Sequence, residues 1–139
     1  MVLRVESSYR EPRHFTKEEL AGKFLFDNHF GEHATCYNVK GRGLVVMSSC
    51  GHAGIINSVR QARKVSGVEK VHAVLGGFHL APAKKDYVEK IVDAMMKELD
   101  PDLIIPMHCT GTTFIHMVAA KYPDKLIDSF VGTRFVFRA

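Results

Sequence analysis

The chain has 139 residues, of which 46% are hydrophobic and 24% charged, an ordinary globular composition for a single domain burying about 68% of its unfolded surface. No apolar run approaches the roughly 20 residues that span a bilayer, and Arg4 and Glu6 put charge where a secretory leader needs its apolar stretch. The net charge of +4 is spread over isolated or paired residues such as Arg63-Lys64 and Lys84-Lys85, which describes a solvated surface and argues against nucleic-acid and membrane partners.

Residues 1–33 read as an irregular N-terminal segment and 34–139 as an α/β core, together one domain. In the first part, Thr16-Lys17-Glu18-Glu19 has the form of a capping box, predicting a short helix to about Lys23. Asp27-Asn28-His29-Phe30-Gly31 reads as a loop. Thr35 to Val39 alternates like a strand. Lys40-Gly41-Arg42-Gly43 is a glycine turn, and Leu44 to Ser48 is the return strand of a hairpin. Ile55, Ile56, Val59 and Ala62 step at three and four, the spacing of an amphipathic helix, which Gly67 closes.

Val71 to Leu75 is short and apolar, the pattern of an inner parallel strand. After Pro82 a long helix presents Val88, Ile91, Val92, Met95, Met96 and Leu99 on one face, and Asp100-Pro101 stops it. Leu103 to Pro106 is a third strand of the same kind. Phe114, Ile115, Met117, Val118 and Ala119 predict a mostly buried helix ended by Tyr122-Pro123. Residues 126–131 and 134–137 predict a closing strand or hairpin. Hairpin, helix, strand, helix, strand, helix, strand is the order of an α/β domain.

Three histidines sit just past three of these apolar runs: His52, His79 and His108. His79 follows His52 by 27 residues, and His108 follows His79 by 29. Each interval is about one strand–helix–strand unit, roughly 30 residues. Parallel strands joined by right-handed crossovers deliver such residues to one edge, where open α/β sheets bind ligands. Neutral imidazoles there suit a divalent ion such as zinc, iron or manganese. The plain alternative is three separate polar residues capping strand ends.

Cys50 and Cys109 flank two of these histidines without the CxxC form of a closed zinc site. Cys50 reads as a small buried hydrophobe and Cys109 as more open. Three cysteines without framework spacing fit a reducing cytoplasm. Cys109, Thr110, Gly111, Thr112 and Thr113 open the last helix, whose start suits a small anionic molecule, phosphate or carboxylate; a simple threonine N-cap explains them equally well. Gly76-Gly77 permits close approach of a ligand to the backbone. Asp27, His29 and His33 form a second polar cluster, while His14, His72 and His116 read as structural.

The stretches around these residues (Ser49 to Asn57, Gly76 to Leu80, and Pro106 to Gly111) resemble the metallo-β-lactamase superfamily. The branch they resemble includes dihydropterin-ribofuranosylaminobenzene phosphate synthase-like proteins. The resemblance implies an αββα sandwich of two similar halves with one or two metal ions at their shared edge. On it, His108 is the late metal-ligand histidine, His52 and His79 are site-edge residues and candidate ligands, and Thr110 and Gly111 sit beside them.

The family's main motif, His-x-His-x-Asp-His, does not occur in the sequence. The expectation is therefore half of the sandwich: one mixed sheet with helices on one face, a truncated hydrolase relative that binds metal but is inactive alone. The other reading is a self-associating or complementing module that binds an anionic ligand without metal. Helices on one side leave the other apolar face open, which predicts a homodimer or pairing with a separate N-terminal half.

Overall fold

Apolar strands too short to stand alone are joined here into one sheet whose two faces are covered very differently. The computed structural model describes residues 31–139; the helix expected near Thr16 and the residues His14, Asp27 and His29 lie outside them. Strand β1 (Ala34–Val39) and strand β2 (Gly43–Ser48) form the expected antiparallel hairpin. Strand β3 (Val71–Gly76) runs parallel to β2, and β4 (Leu103–Pro106) parallel to β3. The order is β1-β2-β3-β4, a mixed sheet.

Helix α1 (Ile55–Ser66) connects β2 to β3 and buries Ile55, Ile56, Val59 and Ala62. It closes on Gly67 in the left-handed region, whose N–H donates to the Arg63 carbonyl. Helix α2 (Lys85–Ala94) runs on through a π-turn at Met95–Leu99. Its apolar stripe from Val88 to Leu99 is buried as the spacing predicts. Asp100, with φ +41°, ends it by donating its N–H to Met95. The Arg63 guanidinium donates to the carbonyls of Glu98 and Leu99 at 2.8 and 2.9 Å, tying the ends of α1 and α2 together. Helix α3 (Thr112–Lys121) buries only Phe114 and Val118, with Ala119 and Ala120 exposed, so it is less buried than its composition predicts.

The helices cover one face, where Leu44, Val46, Val71, Val74 and Ile104 join their core. The opposite face presents Val45, Ala73, Leu75 and Ile105. The pairing of β2 with β3 shifts between Leu44–Val71 and Val45–Ala73, leaving His72 as the extra residue of a bulge.

No closing strand forms among the described residues of the C-terminal segment, contrary to the sequence pattern. Leu126 makes a single parallel bridge to Ile104, and the Ile127 N–H donates to the Ile104 carbonyl at 2.9 Å. The segment then crosses the second face, packing Ile127, Phe135 and Phe137 on it. The period of two in Arg134-Phe135-Val136-Phe137 is real. It reports alternate residues lying on the sheet, not a strand within it. Among the described residues no helix is long and apolar enough to cross a membrane.

Candidate metal centre

The register of the three parallel strands decides what meets at their carboxyl ends. Ser48 pairs with Gly76, and Gly76 with Pro106, so the chain leaves all three strands at one level. Cys50 and His52 follow β2, His79 follows β3, and His108 and Cys109 follow β4. The predicted convergence on one edge is what the structure shows.

The cluster is built on sulfur as much as on imidazole. The Cys50 Sγ lies 3.5 Å from His79 Nδ1 and 3.1 Å from the Cys109 Sγ. The rings of His52 and His79 meet edge to face with centroids 4.4 Å apart. Among the described residues two groups of donor atoms lie mutually within 4.8 Å: Cys50, His52 and His79, and Cys50, His108 and Cys109. His52 and His79 thus share one of these groups, and His108 belongs to the other. The donor common to both groups is Cys50, which is half-buried and turned into the cluster, not a core hydrophobe.

Close backbone packing holds the three loops together. The Leu80 and Ala81 N–H groups donate to the Cys109 carbonyl at 3.1 Å, and the Met107 N–H donates to Gly76 at 2.9 Å. The His79 N–H points at the Cys109 Sγ at 3.2 Å. A Cβ on Gly77 would come within 2.4 Å of the His108 ring and 2.9 Å of the Cys109 sulfur. The missing side chain at Gly77 is therefore the space that the β4 loop occupies. His79 itself has φ +50°, a conformation that costs a non-glycine residue about 1–3 kcal/mol and clusters at functional sites.

Glu32 holds the first loop. Its carboxylate accepts the His52 N–H at 2.8 Å and the Ala53 N–H, and lies 3.4 Å from His52 Nδ1. No sequence pattern signals this role, since Glu32 sits in a stretch without periodicity. His33 is exposed and offers its carbonyl to the Ser49 hydroxyl at 3.2 Å.

The expected anion cradle at the start of α3 is largely committed elsewhere. Cys109 faces the other sulfur. Thr110 is fully buried, accepting the Phe78 N–H at 3.2 Å and donating to Gly76 at 3.4 Å. Gly111 caps the helix with φ +85°, pressed against Ala81, and no side chain caps it. Thr112 and Thr113 are exposed and are not N-caps.

No protein-family model matches the sequence. Over 83 residues the chain is 38% identical to a 7,8-dihydropterin-6-methyl-4-(β-D-ribofuranosyl)-aminobenzene-5′-phosphate synthase of Methanocaldococcus jannaschii, a stretch covering 60% of this chain and 28% of that enzyme. It is 40% identical over 67 residues to an uncharacterised protein of the same organism, covering 48% and 24% of the two chains. The crystal structure of a metal-dependent hydrolase of the β-lactamase superfamily superposes with a TM-score of 0.67 at 31% identity, covering 75% of this chain and 40% of that one. The chain spans about a quarter of the length of the two curated relatives.

The fold is thus one half of a metallo-β-lactamase-like sandwich, and the chain is a relative of that superfamily. Its sequence similarity extends to the dihydropterin-linked synthase.

Proposed function

We propose that this chain is a metal-binding relative of the metallo-β-lactamase-fold hydrolases, holding a divalent ion at the carboxyl edge of its sheet. The observation that carries this reading is the pair of donor groups sharing Cys50. Thiol and imidazole are the donors that zinc takes, and two sulfurs favour zinc or iron over manganese, which suits oxygen ligands. Cys50, His52, His79, His108 and Cys109 are the residues to hold it. Such an ion supplies Lewis acidity and lowers the pKa of a bound water to about 7.

The chain's own contribution is placement. Glu32 fixes the loop of His52, and Gly77 lets His108 and Cys109 approach the other donors. Without a His-x-His-x-Asp-His motif the hydrolytic ligand set is incomplete, so catalysis needs donors that these residues do not supply. Elemental analysis of the reduced full chain and of His108→Ala tests the reading. We expect bound metal in the first and a clear loss in the second; equal metal in both, or none in the unsubstituted chain, refutes it.

A second reading concerns partners, and exposed apolar residues favour it. Tyr37 and Met47 on the hairpin, and Phe130, Val131 and Val136 on the C-terminal segment, are large, apolar and exposed. We infer association with a second copy or with a separate N-terminal half. Sedimentation at micromolar concentration is expected to show a dimer, or a complex when that half is added. A monomer under both conditions contradicts it.

A further inference from the structure

Cys50 and Cys109 come from loops that follow β2 and β4, with β3 between them, and stand 59 positions apart. Their sulfur atoms are nevertheless 3.1 Å apart, about 1 Å beyond the length of a disulfide bond. The Cys109 Sγ also lies 3.3 Å from the Cys50 carbonyl. The intervening strand does not obstruct the pair, because it ends in Gly76-Gly77, and a Cβ on Gly77 would stand 2.9 Å from the Cys109 sulfur. The two cysteines are not joined by a disulfide, and both are half-buried, reachable by a small molecule. Cys36, exposed on β1, provides an internal comparison.

We propose that Cys50 and Cys109 form a dithiol that a small peroxide oxidises reversibly to an intrachain disulfide. In the first step one thiol sulfur attacks a peroxide oxygen and the O–O bond breaks, giving a sulfenic acid and one water. In the second, the neighbouring sulfur displaces the sulfenic oxygen as water, forming the S–S bond. Two thiols and one hydrogen peroxide thus give one disulfide and two waters, the sulfurs being oxidised and the peroxide reduced. A thiol reductant reverses the change by exchange. Disulfide formation stands on the sulfur geometry alone. Its consequence, withdrawal of both sulfur donors from the metal, rests on the function proposed above.

The test treats the full-length chain, stripped of metal by a chelator, with one equivalent of hydrogen peroxide, followed by alkylation and peptide mass spectrometry. The expected product is one linked peptide pair joining Cys50 to Cys109, lighter by two hydrogens and released by dithiothreitol. Cys36→Ser is expected to behave identically. Independent alkylation of Cys50 and Cys109 after oxidation, or bonds to Cys36 instead, overturns the proposal. Zinc at ten times its dissociation constant is expected to slow the reaction about tenfold by mass action. If the disulfide forms and zinc neither binds nor slows it, the metal reading fails while the dithiol stands. If zinc binds and no disulfide forms, the reverse holds.

Discussion

The two ends of one sheet each gather histidine, and their neighbours give them opposite roles. At the amino end, Asp102 accepts from Lys70 and lies 2.8 Å from His72 Nδ1, so a carboxylate lies between cation and imidazole and β3 is fastened to β4. This cluster is satisfied by its own members and serves as a clasp. At the carboxyl end, two sulfurs stand among three imidazoles, and the nearby carboxylate of Glu32 is engaged with backbone N–H groups. Sulfur and imidazole donors gathered this closely suit a metal ion. The chemistry of a strand-end histidine is set by its neighbours, not by its position.

The largest effect that sharpens this comparison belongs to the scaffold of the carboxyl end. Gly76 has φ +115°, and a Cβ there would lie 2.0 Å from the Ser48 carbonyl oxygen. Backbone strain and overpacking together predict a loss of about 2–5 kcal/mol for Gly76→Ala, read by urea unfolding. The adjacent Gly77→Ala meets the His108 ring and the Cys109 sulfur, side-chain ends that can swing away. It is expected to stay folded within about 1 kcal/mol while its metal content drops sharply. If the two variants unfold alike, the distinction between frame and site is wrong.

Next in size is Glu32→Ala. Removing a group that orients a metal ligand typically costs about 10–100-fold in metal affinity, and zinc titration measures it here. Unchanged affinity would mean that Glu32 only ties the backbone.

Smallest is the acid response of the clasp. Partial burial raises the Asp102 pKa, but hydrogen bonds and charge from Lys70 and His72 outweigh it, so the value sits below the ordinary carboxylate range. A lowered folded-state pKa adds stability that is present above about pH 4 and lost as the pH falls through the depressed value. With over a third of the side chain exposed, the contribution is under about 1 kcal/mol. Asp102→Asn is expected to flatten the stability profile slightly below pH 4 and to leave zinc affinity unchanged. A change in zinc affinity would couple the two ends.

Much of this was legible in the sequence, because one residue pattern reports one physical environment. Short apolar runs gave β2, β3 and β4, and three-four spacing gave the buried stripes of α1 and α2. Nearly equal intervals, 27 and 29 residues, placed His52, His79 and His108 at one edge. What could not be read depends on side chains meeting across loops. Cys50 read as a hydrophobe because nothing local shows that Cys109, 59 positions away, lies against it. Glu32 carries no periodic signal. The final aromatic pairs alternate as a strand would, yet lie across the sheet, since alternation records burial and not hydrogen bonding.

The most direct measurement is zinc titration of the reduced full-length chain beside Cys50→Ala, whose sulfur both donor groups share. The account predicts about one tightly held ion in the unsubstituted chain and severe weakening in the variant. Equal affinity in the two proteins would contradict a centre organised on that sulfur.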